Sequence, residues 1–269
     1  MPRNLFVPSH DSGSVEHYFH FLLGYLLPYL NFRNDSVNEI YHLRDCGPLT
    51  KILAELEIPT IERLEFQNLT VEQPFNTAPG YDSAKGVKKL RRDGVVERLL
   101  GELGLMDKDT TGITPKVLII DRAISNSFYL TDNAEIKGSG ADRRSIPNHS
   151  EMVKEVSKIT SAKNIELDGL SLREQISLFR NAEIIIAQHG ASLANLVFCT
   201  PGTLVIEIGP NLNPNYIFKK LAKIFKLCYQ SVWQESNHAE VNIEKVIEAI
   251  SHSNNRKFLF KNLTSKKNN

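Results

Sequence analysis

The sequence predicts an α/β protein built around a parallel sheet. Short apolar segments of strand character alternate along the chain with segments that have helical periodicity. The run PKVLIIDR at 115–122 is apolar over most of its length, which is typical of a strand buried on both faces in a parallel sheet. The length of 269 residues allows one large domain or two small ones.

The first part of the chain has a mixed pattern. Helical periodicity is clear in 48–58, where apolar residues recur at every third or fourth position. Gly94 weakens the middle of the helix expected at 87–105, and the polar stretch 67–83 is interpreted as a loop. The elements predicted here are a strand at 5–9, a helix at 18–30, a strand at 37–45, a helix at 48–58, a strand at 60–66 and a helix at 87–105.

The second part alternates more regularly. A Ser171–Glu174 capping box marks the start of one helix, and Asn148 is the predicted N-cap of another. The predicted strands are 115–122, 163–169, 183–190, 203–210 and 229–233, and the predicted helices are 148–159, 171–182, 191–198, 216–225 and 241–252. A polar stretch with Gly and Pro at 106–115 separates the two parts. It predicts domains at 1–110 and 111–235, followed by a C-terminal helix and tail at 236–269.

Composition excludes some classes of protein. The 32 basic residues nearly balance the 31 acidic ones, so no overall attraction to nucleic acid or to a membrane is expected. The short clusters KKLRR (88–92) and DRR (142–144) are interpreted as solvated faces. The most apolar N-terminal run, 18–30, is too short to span a membrane, and no targeting segment is evident. The three cysteines lack metal-ligand spacing, which predicts reduced, buried thiols in a cytoplasmic protein.

The stretch IIIAQHGAS, which begins at residue 184, has the pattern of a ligand site. A strand that ends in His189-Gly190 and turns into a helix presents unpaired N–H groups at the sheet edge where α/β proteins bind ligands. Gly190 would let a ligand approach the backbone, and His189 could donate to a phosphate. A histidine satisfied within a tight turn is the alternative. Glu207, inside the next apolar strand, either meets a basic residue or accepts hydrogen bonds from ligand hydroxyls such as those of a ribose.

Two other patterns are weaker. Residues 190–194, GASLA, are similar to a nucleophile elbow with Ser192, which Glu207 and His238 could complete as a serine hydrolase. Glu207 follows Ser192 too closely for that arrangement, and His238 lies in an unpatterned polar loop. The DKD at 107–109 has a metal-binding form, but it lies in the predicted linker and is interpreted as a solvated loop. No metal site is predicted.

The run LSLREQISLFRNAEIIIAQHGASLANLVFCTPGTLVIEI at 170–208 resembles the signature of glycosyltransferase family 61. Upstream, the strand that ends in Arg122 and the later Arg144 and Asn148 are similar to the same family, as is the His-Leu-Pro pattern at 20–28. The residues that carry the resemblance are Glu174, Gln175, His189, Gly190, Ala191, Leu193, Asn195, Phe198, Pro201, Gly202, Ile206 and Glu207.

The resemblance implies a fold and an activity. The fold would be GT-B, with two Rossmann-like halves facing each other across a cleft. The activity would be inverting transfer of a sugar from a nucleotide donor, commonly UDP-linked, to a glycan acceptor, for example in surface polysaccharide synthesis. No cofactor, essential metal or nucleic acid is implied. Many members carry an acidic residue four positions after the N-terminal His, whereas this chain has Gly24. A catalytically inactive relative that binds nucleotide sugar or glycan is therefore the alternative.

The same resemblance suggests roles for individual residues. His20 is the predicted catalytic base, with Asp11 and Glu16 as fallbacks, because the pKa of histidine suits proton transfer near neutral pH. The predicted donor and phosphate site consists of Arg122, one of Arg143 and Arg144, His189 and the amides of Gly190, Ala191 and Ser192. Glu207 would hold the ribose or orient one of the arginines.

Overall fold

The structure is a computed structural model that describes residues 5–7, 13–35, 40–69, 82–107, 115–210 and 217–252. Its strands form a two-stranded and a five-stranded sheet, and every pairing within them is parallel. The predicted α/β class with a parallel sheet is confirmed. Within these ranges, every helix is too short or too polar to cross a lipid bilayer.

The first part is mainly helical. A π-helical turn at Leu22–Leu26 joins α1 to α2, and a 3-10 turn at Gly47–Leu49 precedes α3. Gly94 has a φ of +71° and ends the helix predicted at 87–105, which is therefore divided into α5 and α6. The elements are α1 (Tyr18–Phe21), α2 (Leu27–Asp35), β1 (Leu43–Arg44), α3 (Thr50–Glu55), β2 (Thr60–Ile61), α4 (Arg63–Asn68), α5 (Ala84–Arg92) and α6 (Val95–Glu102).

Two strand predictions in this part are wrong. In the range 60–66 only the first two residues form a strand, and a helix begins at Arg63. Leu64 is 67% exposed, so the alternating pattern has no buried face over 63–66. At 5–9, only Leu5 forms a bridge, to His42, and residues 8 and 9 lie outside the described ranges. The described strands of the first part form a two-stranded sheet, so the second Rossmann-like half of a GT-B fold stays a prediction.

The second part contains the large sheet. Its elements are β3 (Val117–Ile120), α7 (Gly140–Arg143), α8 (His149–Ile159), β4 (Ala162–Ile165), α9 (Leu172–Asn181), β5 (Ile184–Gln188), β6 (Leu204–Gly209), α10 (Ile217–Ile224), β7 (Cys228–Trp233) and α11 (243–252). A 3-10 helix at Ala191–Phe198 occupies the predicted 191–198 segment. The predicted boundary at 106–115 lies mostly outside the described residues, so the domain limits also stay a prediction.

The sheet order β4-β3-β5-β6-β7 places β3 and β5 side by side. From β3 the chain moves to one side of the sheet, and from β5 it moves to the other. The pair is therefore a topological switch point, where a crevice opens beyond the carboxyl ends of the strands. Alternate residues of these strands face two cores: Ile185 packs with the helices of the first part, and Ile186 packs with α8 and α11.

A buried polar chain ties α1 to the large sheet. The Tyr18 hydroxyl donates to Asn195 Oδ1 at 2.6 Å, and Asn195 Nδ2 donates to Gln175 Oε1 at 3.1 Å. Asn195 is completely buried, and Gln175 is 4% exposed. Gln175 also donates to the carbonyl oxygens of Leu167 and Leu170. Two residues of the sequence signature therefore stabilise the contact between the two parts of the chain.

We expect Asn195→Ala to lower the free energy of unfolding by about 2 kcal/mol or more, because it leaves the buried Gln175 oxygen and the Tyr18 hydroxyl without their partner. Urea denaturation followed by circular dichroism measures this change. The matched control is Asn68→Ala on the exposed surface of α4, expected to change stability by less than about 0.5 kcal/mol. Equal free energies of unfolding in the two variants would contradict the stabilising role of these hydrogen-bonded side chains.

Candidate active site

The side chains that follow β3 and β5 meet at the switch point. Arg122 comes two residues after β3, and His189 directly follows β5. Arg122 Nη2 donates to the His189 carbonyl oxygen at 2.5 Å, and Nη1 donates to the Gly140 carbonyl oxygen at 3.3 Å. The arginine thus connects the ends of both strands to the start of α7.

The position of the Arg122 side chain requires a glycine at residue 190. A Cβ atom added at Gly190 would lie 2.1 Å from Arg122 Nη2, so no larger residue fits without displacing the guanidinium. The backbone φ of Gly190 is 171°, which any residue can adopt. The expectation that Gly190 makes room for a ligand therefore needs correction, because the space beside it holds the Arg122 side chain.

Positive charge is concentrated at this point. Arg122, Arg143 and Arg144 all line one cavity of about 310 Å³. The pKa of Arg122 is lowered to about 10, first by burial and then by the charges of Arg144 and Arg143. Arg122 still carries its charge at neutral pH; Arg144 and Arg143 repel it, and Asp168, which also lines the cavity, offsets part of that repulsion. Such a site favours an anion, which would relieve the repulsion.

The cavity lies between the two parts of the chain. Tyr18 and Leu49 line it from the first part, and Ala191 and Ser192 line it from the start of the 3-10 helix. Three buried polar atoms of lining residues, His17 Nε2, Arg122 Nε and Gln188 Oε1, have no hydrogen-bond partner among the described residues. Buried polar groups are nearly always paired, so these atoms indicate where a ligand would complete the hydrogen bonding.

Glu207 holds His189. It is completely buried on β6, accepts a hydrogen bond from the Tyr229 hydroxyl at 2.6 Å, and lies 2.5 Å from His189 Nδ1. The two predicted roles of Glu207, ribose binding and orientation of an arginine, are therefore wrong. Its carboxylate is out of reach of solvent, and its partners in the structure are a histidine and a tyrosine. His189 does not line the cavity, and its phosphate contact stays a prediction.

His20 is paired with a carboxylate that the sequence analysis missed. Its Nδ1 lies 2.7 Å from Asp82 Oδ2, and the two side chains are 20% and 6% exposed. Asp82 precedes Ser83, the N-cap of α5, in a stretch that we interpreted as a polar loop. Gly13, with a φ of +86°, packs so closely on the ring that an added Cβ would lie 2.3 Å from His20 Nε2. Asp82 thus supplies His20 with a carboxylate partner, which the glycine at position 24 cannot supply.

Aromatic rings connect the two histidines. The Phe19 ring meets the His20 ring edge-on at 5.2 Å and the Phe218 ring at 5.7 Å, and Phe218 meets His189 at 5.2 Å. His20 and the His189–Gly190 turn therefore belong to one packed region. His20 itself does not line the cavity.

The imidazole that lines the cavity is His17. Its Nδ1 lies 3.4 Å from Arg143 Nη1, and its pKa is lowered to about 4 by burial, then by Arg143 and His20. Neutral His17 accepts a hydrogen bond from Arg143 and so helps to hold that guanidinium at the cavity. His17 and His20 are three residues apart, a spacing that brings two side chains together on a helix. This spacing is the sequence signal by which His17 could have been found together with His20.

The fallback bases do not fit. The Glu16 side chain is 3% exposed, lies 3.3 Å from Arg63 Nη1 and accepts from the Glu135 amide at 2.7 Å. Glu16 is thus a buried structural group, and burial raises its pKa. Asp11 lies outside the described residues.

The hydrolase alternative is wrong. Ser192 lines the cavity, but Glu207 pairs with His189, and His238 Nδ1 lies 3.0 Å from Ser145 Oγ on the exposed surface. The three groups of a Ser–His–acid triad are therefore not assembled. Across the described ranges, no group of three His, Cys, Asp or Glu side chains could hold a metal ion. Cys46 and Cys199 are buried as predicted, whereas Cys228 is exposed on the edge strand.

Comparison with known protein families matches residues 18–206 to the family described as Glycosyltransferase 61. No curated protein sequence matches this chain. The family match begins at α1, which carries His20, and ends within β6, next to Glu207. Because the matched segment covers more than half of the 269 residues, the chain belongs to glycosyltransferase family 61 and is a glycosyltransferase.

Proposed function

We propose that this enzyme transfers a sugar, with inversion and without an essential metal, from a UDP-linked donor to a glycan acceptor. The observation that carries the proposal is the group of three arginines around one cavity at the switch point. A nucleotide diphosphate supplies the anion that such a site favours, and the leaving diphosphate gains negative charge during transfer. Fixed cations stabilise that charge in the transition state.

The arginines have different parts in this proposal. Arg122 is anchored by two backbone carbonyl oxygens and sets the charge at the floor of the site. Arg143, the last residue of α7, and Arg144, its C-cap, line the cavity and provide forks that suit phosphate oxygens. The first turn of the 3-10 helix adds the amides of Ala191 and Ser192, since N–H groups at a helix start have no intrahelical partner.

His20 is the proposed base. Asp82 orients its ring through Nδ1 and stabilises the positive charge that the ring gains when it takes the proton of the acceptor hydroxyl. His17 is closer to the cavity, but a pKa of about 4 makes it a weak proton acceptor at neutral pH. The acceptor would approach from the first part of the chain, as in a GT-B arrangement. A cytoplasmic role in surface polysaccharide synthesis is proposed by analogy with the family.

Replacement of Arg143 by Gln should weaken UDP binding roughly tenfold to a hundredfold, because a charge-assisted hydrogen bond to phosphate is lost. Calorimetric titration of the purified chain with UDP measures this change. Arg33→Gln is the matched control, since Arg33 lies on α2 in an exposed pair with Glu102 and should not affect binding. Unchanged UDP affinity in Arg143→Gln would show that the arginine cluster does not bind the donor.

The same titration in the presence of EDTA tests metal dependence. We expect the UDP affinity and the rate of sugar transfer to stay within about twofold of their values without chelator, since the arginines neutralise the diphosphate. Restoration of a lost activity by Mg²⁺ or Mn²⁺ would show that the metal-independent mechanism is wrong.

Asp82→Asn should lower kcat about a hundredfold or more with little effect on UDP affinity. The Asn amide can donate to Nδ1, which favours the His20 tautomer that has its proton on Nε2. In that tautomer Nε2 cannot take the proton of the acceptor hydroxyl. His20→Gln should have an equal effect, and the double variant should lose no more than either single one. A large loss of kcat in His17→Gln with full activity in His20→Gln would show that His17, and not His20, is the base.

A further inference from the structure

Two neighbouring helices present a surface made of basic side chains. The outward residues of α5 and α10, and of the turn after α10, are all exposed. We call this surface the basic face. Its residues are Lys85, Lys88, Lys89, Arg92, Lys219, Lys220, Lys223 and Lys226.

The charge of the chain is strongly uneven as a result. The segments 84–92 and 217–227 together hold nine basic residues and no acidic residue, whereas the rest of the chain holds 23 basic and 31 acidic residues. The net charge of +1 therefore conceals a positive surface and a negative remainder. The KKLRR cluster (88–92) that we interpreted as a solvated face acquires a second basic helix beside it, which the sequence order did not show.

Apolar packing fixes the two helices side by side. Val87 and Leu90 of α5 share one core with Phe218, Leu221 and Phe225 of the α10 region. The Arg91 guanidinium lies 5.5 Å above the Phe225 ring and spans the contact. Arg92 Nε is paired with Asp93 Oδ1 at 3.2 Å, but repulsion between like charges on adjacent helices still opposes folding. An anionic partner would remove that cost.

The basic face adjoins the active site. Asp82, the partner of His20, lies two residues before α5, and Phe218, at the start of α10, contacts the His189 ring. Both helices therefore begin beside the catalytic region. A partner bound along them would lie next to the region that holds His20 and His189.

We propose that the basic face binds the surface of an anionic phospholipid bilayer. Clusters of four to eight Lys and Arg residues on amphipathic helices are typical of such binding. Seven of the nine basic residues in the two segments are lysines, compact charges that suit diffuse headgroup attraction. Single-stranded nucleic acid needs stacking aromatic side chains, whereas Phe218 and Phe225 are buried. The binding does not rest on the proposed function.

The test is co-sedimentation of the full chain with vesicles. Vesicles of phosphatidylcholine with a third phosphatidylglycerol should retain the protein, vesicles of phosphatidylcholine alone should not, and high salt should release it. The variant that combines Lys85→Gln, Lys88→Gln, Lys219→Gln and Lys223→Gln should partition about tenfold or more weakly. UDP binding should be unchanged, which separates this result from a failure of the proposed function.

The matched control removes four exposed lysines elsewhere, by Lys116→Gln, Lys154→Gln, Lys163→Gln and Lys245→Gln. This control has the same net charge as the first variant and should keep its vesicle binding within about twofold, because its substitutions lie away from the basic face. Equal loss in the two variants, or full retention in the first, would overturn the proposal. Retention by single-stranded DNA or an acidic polysaccharide, with none by anionic vesicles, would also overturn it.

Discussion

The buried charge of Arg122 is the constraint on which the active site depends. Its guanidinium reaches across the switch point from β3 to the carbonyl oxygen of His189 after β5, and from there to α7. That position excludes any side chain at residue 190 and places the charge among other arginines. One side chain thus determines the shape of the His-Gly turn and contributes a buried positive charge to the cavity.

A second set of contacts positions the two parts of the chain around that charge. Tyr18, Asn195 and Gln175 join α1 to the large sheet, and Glu16 accepts from the Glu135 amide. His17 and His20 lie on the same short helical segment as Tyr18. The imidazole that supports Arg143 and the one that pairs with Asp82 are therefore fixed by the packing that closes the cavity.

Sequence patterns predicted the second part of the fold well, because its strands are continuous apolar runs. Asn148 takes the predicted N-cap position of α8, but its side chain bonds the Val241 backbone and does not cap the helix. The Ser171–Glu174 capping box is present in the structure. The strand expected at 60–66 failed because alternation in a short segment does not show which face is buried. Arg122 and one of Arg143 and Arg144 were predicted from the family resemblance, and the structure brings all three to one cavity. Asp82 was not, since its partner His20 is 62 residues away and only tertiary packing brings them together.

The signature of the family is largely a description of internal support. Gly190 accommodates Arg122, Glu207 holds His189, and Asn195 with Gln175 anchors α1. Gly190, Glu207 and Asn195 contact other side chains and do not line the cavity, so this part of the pattern specifies the frame around it. The cavity wall comes mainly from the second part, and the first part, where the pattern is sparse, adds His17, Tyr18 and Leu49 among others. Substitution of these first-part residues would change the cavity wall while Gly190, Glu207 and Asn195 keep the frame intact.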